Sequence, residues 1–387
     1  MLNRRILRSK ALQLAYGFYS SRKANHQMAL DRIRLHYAPD LNSLEEQDKG
    51  ELKKKEKEAA ELFKRNDFEA SDKDMTEALY EARHFYEEQT KKDINSYRKQ
   101  LTNHAESIFD LYLKALLLLV KLSDMVNIEA IETVKNRPMA PKPDEETLKF
   151  YNNKIVELIR SDKDFQKACE KRKINWGDDQ DFIESLFKEG LKKNKEYKKY
   201  IERNSKDLRF EDEIEIARTV LNEIVLNHPA SIAQFESIDI SWFQNKSIVK
   251  SMLKFTLKSI DEKSDKFPFA PLAKNWEDDK SFYEKLFNLT IENDAEYEEL
   301  IASKAKNWES ERVSLMDKII LKLAMCELEH FPSIPVKVTI NEFIDLSKQY
   351  STPKSKTFVN GILDKVKQEW LKSKKIKKSG RGLIDNN

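Results

Sequence analysis

Apolar residues recur at helical spacing along nearly the whole chain, and the clearest run lies near its end, between Trp308 and Trp370. Val313, Met316, Ile320, Leu323 and Met325 to Leu328 form a wide apolar stripe that stops at Phe331-Pro332-Ser333-Ile334-Pro335. The next helix is expected to turn Val338, Ile340, Phe343, Ile344 and Leu346 inward and to end near Tyr350. Thr352 then suits an N-cap with Pro353 at the first helical position, since that proline needs no amide donor there. A third helix buries Phe358, Val359, Ile362, Leu363, Val366 and Trp370.

At the other end, a helix from about Asn3 to Tyr19 places Leu7, Ala11, Leu14 and Phe18 on one face and Arg4, Arg5, Arg8 and Lys10 elsewhere. Three guanidiniums at a helix start oppose its dipole, and an anionic partner would relieve them. A solvated basic face explains the residues about as well as an RNA contact does. Leu44 to Lys73 is dense in Lys and Glu and reads as exposed helix or partly disordered chain. Met75 to Tyr97 and Leu101 to Val134 regain helical patterning, and Arg137-Pro138-Met139-Ala140-Pro141-Lys142-Pro143 is the best linker. The apolar run from Ile108 to Val126 carries Asp110, Lys114, Lys121 and Asp124. Its unbroken part is well short of the ~20 residues a spanning helix needs, so it reads as a buried helix of a soluble protein.

The second half partly repeats itself. Asn175-Trp176-Gly177-Asp178-Asp179, Phe182, Leu186-Phe187 and Glu196-Tyr197 recur at one offset as Asn275-Trp276-Glu277-Asp278-Asp279, Phe282, Leu286-Phe287 and Glu296-Tyr297. Each copy reads as a tryptophan before an acid-capped helix. Ser241-Trp242 and Ile248 to Ile260 faintly echo Asn307-Trp308 and the residues after them, so this stretch is expected to hold a decayed copy of part of the same unit.

Composition adds bounds. The 387 residues suffice for two or more domains, and only 7 glycines and 10 prolines with 35% charged residues favour an all-α chain. The net charge of +3 is modest, so the placement of basic residues matters more than their number. Cys169 and Cys326 make no disulfide framework, which favours a reducing cytoplasm. The acid pairs at 178–179 and 278–279 are explained by capping. Cys326 and His330 lie one turn apart without a second pair to complete a metal site. With no glycine-rich phosphate loop and no nucleophile motif, neither enzyme nor cofactor is expected.

The words Cys326-Glu327-Leu328, Ile334-Pro335-Val336-Lys337-Val338, Ile340-Asn341-Glu342 and Phe358-Val359-Asn360-Gly361-Ile362-Leu363-Asp364, in that order, resemble the NusB family of bacterial transcription antitermination factors. Arg4, Arg5 and Arg8 fall on arginines of that family's N-terminal motif, which runs into a helix similar to Ala11-Leu12-Gln13-Leu14-Ala15-Tyr16. The resemblance implies an all-α, NusB-like helical bundle of two small subdomains, interrupted by a large helical insertion. With the proline-rich linker and the repeated words, it divides the chain into the basic helix at 1–21, a charged insertion at 22–137, a second insertion at 138–274 that could repeat the core, the NusB-like core at 275–370, and a disordered basic tail at 371–387.

The resemblance also implies a non-enzymatic RNA-binding antitermination factor. Its partners would be boxA-type single-stranded ribosomal RNA, NusE (a small-subunit ribosomal protein) and the RNA polymerase antitermination complex. NusB-like domains also occur fused to ribosomal RNA methyltransferases, but the stretch from Lys372 to Asn387 is too short for a catalytic domain. The expected RNA surface joins Arg4, Arg5, Arg8 and Tyr16 to Lys354, Ser355, Lys356 and Phe358, with either aromatic able to stack on a base or to fill the core. Where better-studied members tend to read Asp-Ser-His-Lys-Phe, this chain reads Lys354-Ser355-Lys356-Thr357-Phe358, which favours phosphate attraction and weakens any transfer of base contacts. Asp317 and Lys322 fall on the helix that lies toward NusE in the family, although a structural pair explains them almost as well. A helical scaffold that kept the fold and binds only proteins is the alternative.

Overall fold

The computed structural model describes residues 1–40, 42, 47–70, 72–136, 142–264, 266–305 and 313–384. Its α-helices are α1 (Arg4–His36), α2 (Lys49–Lys64), α3 (Lys73–Asn136), α4 (Lys154–Ser161), α5 (Lys163–Lys171), α6 (Gln180–Ser185) and α7 (Lys195–Glu202). They continue as α8 (Phe210–Thr219), α9 (Pro229–Ile238), α10 (Trp242–Ser259), α11 (Trp276–Glu292), α12 (Asp294–Lys304), α13 (Leu315–His330), α14 (Val336–Tyr350) and α15 (Ser355–Lys372). Helices α6 and α8 each run on into a wider π-type turn, Leu186–Leu191 and Val220–Val225. The chain is all-α, and among the described residues the sole β feature is an isolated bridge, Leu2 to Ala273. No helix there is long and apolar enough to cross a membrane.

Contacts divide the chain into two compact units: unit 1, Met1–Asn3 with His104–Trp276, and unit 2, Arg4–Asn103 with Glu277–Asn387. The borders differ from those expected at 21/22 and 137/138. Helix α1 passes through 21/22 to His36 because no proline interrupts it before Pro39 and apolar residues keep their spacing. Ala29 and Ile33, with Tyr37 beyond, pack with Phe63 of α2 and Leu79 of α3. The two helices expected at 75–97 and 101–134 are one, since residues 73–136 contain neither Gly nor Pro. Residues 137–141 of the expected linker, and Asn307-Trp308, lie outside the described residues.

In unit 2, α13 is the central helix. From Ile319 to Leu328 every side chain is buried, as expected of a helix enclosed on all sides, here by α1, α12, α14 and α15. The inward face of α14 is Val336, Thr339, Ile340, Phe343, Leu346 and Ser347, so Val338 points outward, contrary to expectation. Helix α15 starts at Ser355, not Pro353, because a turn in which Ser355 N–H donates to the Thr352 carbonyl precedes it. The chain beyond it is docked and not disordered as far as 384. Ser379 N–H donates to the Pro332 carbonyl at 3.0 Å, and Lys378 Nζ to the Phe331 carbonyl at 2.9 Å.

Unit 1 contains the first copy of the repeated words. Tyr197 and Tyr297 are buried alike, as are the pairs Leu186-Phe187 and Leu286-Phe287. Asp179 stands at the N-cap of α6 as expected, but without a side-chain cap bond, and accepts from Gln234; Asp278 and Asp279 sit inside the first turn of α11, where the dipole favours them. Lys114-Ala115-Leu116 in α3 parallels Lys10-Ala11-Leu12 in α1, with the alanine and leucine buried in both. The echo noted for α10 lies elsewhere than expected: Lys246-Ser247-Ile248-Val249 parallels Lys356-Thr357-Phe358-Val359 of α15, and Ile248 and Val249 are buried as Phe358 and Val359 are.

Candidate nucleic-acid interface

The three arginines of α1 have different surroundings. Arg8 is 4% exposed and grips Glu327 of α13 through two bonds, Nε to Oε2 at 2.7 Å and Nη2 to Oε1 at 2.8 Å. Glu327 also accepts from Thr339 Oγ1 of α14 at 2.7 Å, and Glu342 lies 3.7 Å from the same guanidinium. This bidentate pair crosslinks three helices and removes Arg8 from any surface RNA could touch, correcting the expectation for it. Arg4 is half-exposed, bonds Asp278 at 2.7 Å, stands 3.6 Å from Asp279 and lies over the Phe282 ring. Arg5, with 63% of its side chain exposed, pairs with Asp345 at 3.3 Å.

Arg5, Ser9 and Tyr16 share one face of α1, since they fall within about 40° of one another at 100° per residue. Tyr16 is 43% exposed. Ser9 Oγ and Tyr350 Oη share a hydrogen bond of 2.5 Å, which ties this face to the end of α14. The α14–α15 joint follows immediately, and in it Lys354 and Lys356 are exposed.

The other expected RNA residues of the joint face inward. Ser355 is buried and donates its hydroxyl to Asp317 Oδ2 at 2.9 Å; its oxygen also lies 2.9 Å from the hydroxyls of Ser351 and Thr352. Phe358 is buried among the apolar residues of α15. A hydroxyl consumed by internal bonds and a ring in the core have nothing to offer a base, so neither is a surface contact.

Asp317 and Lys322 are also interior. Lys322 Nζ bonds Asp294 at 2.5 Å and Glu298 at 2.7 Å and lies over the Tyr19 ring. Arg22 reaches Asp294 at 2.6 Å, and Tyr19 donates its hydroxyl to it at 2.5 Å. Burial alone would raise the Asp294 carboxyl, but Arg22 and Lys322 outweigh it and hold the group below its ordinary value. Both residues are therefore framework, and neither is offered to a partner. The missed residues are the counter-ions Glu327 and Asp294. Glu327 had one visible signal, an acid inside the otherwise apolar run Ala324 to Leu328, which needs an internal cation.

Residues 246–368 match the model of the NusB family. Over 106 residues the chain is 42% identical to the transcription antitermination protein NusB of Chloroherpeton thalassium, covering 27% of this chain and 50% of that protein. The protein of the same description from Salinibacter ruber is 40% identical over 105 residues, which is 27% of this chain and 66% of that one. That from Dictyoglomus turgidum is 39% identical over 88 residues, covering 23% and 59%. The chain thus spans between half and two thirds of the length of these relatives. No solved structure matches it.

Proposed function

We propose that this chain, which carries a NusB-family domain over residues 246–368, is an RNA-binding transcription antitermination factor. In this reading it acts by binding, without catalysis, in the cytoplasm. Its RNA is a single-stranded boxA-type element of ribosomal transcripts, held together with NusE as part of the polymerase complex.

The observation that carries the reading is the face of Arg5 and Tyr16, joined through Ser9–Tyr350 to the exposed Lys354 and Lys356. Cations at this face attract phosphate, with the N-terminus of the 18-residue helix α15 adding its dipole, and Tyr16 offers a ring to an unstacked base. Arg4 contributes less, because Asp278 and Asp279 already neutralise much of its charge. Arg8 supports the face from beneath by fixing α1 on α13.

The test is binding of the full chain to a boxA-containing leader RNA and to a scrambled control, each with and without NusE, across a salt series. Preference for boxA that NusE sharpens supports the reading. Equal weak binding to both RNAs, unmoved by NusE, would favour a protein-only scaffold.

A further inference from the structure

Unit 1 carries sequence echoes of unit 2 but not the arginines at the start of α1. In the parallel of α1 with α3, Tyr112 stands where Arg8 stands, and its hydroxyl shares a neutral hydrogen bond of 2.6 Å with Thr256 Oγ1. Ile108 and Phe109 stand where Arg4 and Arg5 stand, so the basic helix start is gone. Basic character is found instead on α10, whose Lys246-Ser247-Ile248-Val249 echoes α15.

Helix α10 contains Lys246, Lys250, Lys254 and Lys258, one per turn, and is the one α-helix among the described residues without an acid. Its apolar arc is spent on the core, where Trp242, Ile248, Val249, Met252, Leu253 and Leu257 are buried. Opposite that arc, Lys250, Lys254 and Lys258 are exposed, spaced by about 6 Å of helix rise. None of the four lysines lies within ion-pair distance of a described carboxylate, whereas Lys188, Lys192, Lys193 and Lys199 in the same unit all do. Lys246 is pushed below the ordinary lysine value by burial, with Lys250 adding to the effect and Glu236 opposing it. Phe243 is 86% exposed on the lysine face, and Ile240, 99% exposed, lies just before the helix.

We propose that the solvent face of α10 is a second RNA-contact surface, on which Lys250, Lys254 and Lys258 take successive backbone phosphates of a single strand and Phe243 stacks on a base. The choice of RNA among polyanions rests on the function proposed above; the surface itself rests on its own charge and exposure. A membrane fits less well, because an interfacial helix needs its apolar face free and that of α10 is inside the unit. Phosphate contacts and a stacked ring do not depend on base identity, which makes this contact sequence-tolerant.

The test uses the full chain, an unstructured oligouridylate, the boxA leader RNA and phosphatidylserine vesicles. The triple variant K250Q/K254Q/K258Q changes only exposed side chains and should melt as the parent does. Its plot of log affinity against log salt should flatten by about 2, from about 0.7 for each phosphate no longer neutralised. F243A should weaken oligouridylate binding about fivefold or more with the slope unchanged, as removal of one stacked base requires. An unchanged slope in the triple variant overturns the proposal, as does vesicle binding that the variant abolishes while RNA binding is untouched. A parallel R5A/K354A/K356A variant separates the two readings. If it loses boxA preference while the triple variant keeps the parent's salt slope, the function stands and this surface falls. If the triple variant flattens the slope while no form prefers boxA, this surface stands and the boxA reading falls.

Discussion

Arg8 and Glu327 lie 319 positions apart in the chain and meet in a buried bidentate ion pair at 2.7 and 2.8 Å. Removing one partner strands the other charge in the interior. Arg8→Ala is therefore expected to cost about 3–5 kcal/mol of folding stability. Arg5→Ala, at an exposed site, should stay within about 0.5 kcal/mol and instead lower RNA affinity. Urea unfolding and RNA titration of the two single variants would check this. An Arg8→Ala protein of unchanged stability would contradict the assignment, and a combined replacement of all three arginines would confound folding with binding.

Lys354 and Lys356 flank the buried Ser355 and are themselves exposed, so their charges can be changed without touching the core. Reversing both to Glu should leave the melting temperature unchanged and weaken RNA binding most strongly at low salt. Each phosphate released from the protein lowers the salt slope by about 0.7. A variant that binds RNA as the parent does across the salt series would remove the joint from the interface.

The difference between Arg5 and Arg8 shows where the sequence stops informing. Helical spacing revealed the apolar face of α1 and the three helices that close the chain, because those depend on neighbours within a turn or two. It could not reveal that one arginine of the three is interior, since the acid that holds it comes from α13. Lys322 was misread for the same reason: Asp294, Glu298 and Arg22, which define its surroundings, come from two other helices. Unit borders were equally hidden. Helix α1 has no breaker at the boundary expected after 21, and α3 has none at the border between Asn103 and His104, since a helix can pass from one packing environment to the next without any local signal. The echoes between the two units were legible because burial constrains residue type, as Ser231-Ile232 and Phe235 beside Thr339-Ile340 and Phe343 illustrate.

The docked tail depends on a glycine. A Cβ built on Gly382 would lie 2.0 Å from the Pro332 carbonyl oxygen, which is backbone and cannot swing aside. Gly382→Ala should lift residues 379–384 from the Phe331–Pro332 turn while leaving the helical core folded. Limited trypsin digestion reads this directly, since Lys374, Lys375 and Lys377 lie just before the docked segment. Cleavage there should quicken in the variant with far-ultraviolet circular dichroism unchanged, and an unaltered digestion rate would mean that the glycine does not hold the tail.

The cluster around Asp294 predicts acid sensitivity of a definite sign. Its carboxyl, and that of Glu298, are held below their ordinary values because the cations Arg22, Lys318 and Lys322 outweigh the effect of burial. A depressed carboxyl contributes stability that is fully present above its unfolded value, about 3.9 for Asp, and that is lost as pH falls through the folded value. The melting temperature of the parent should therefore fall as the solution is taken below about pH 4. Asp294→Asn should be less stable at pH 7, because Lys322 and Arg22 lose their shared counter-ion, and its melting temperature should change less over the acid range. Lys322→Ala should cost about 3 kcal/mol at neutral pH by leaving Asp294 and Glu298 facing each other without their common cation. Thermal melts of the three proteins from pH 7 to pH 2 would decide it: parallel curves for the parent and Asp294→Asn would show that Asp294 is not the group whose protonation destabilises the fold.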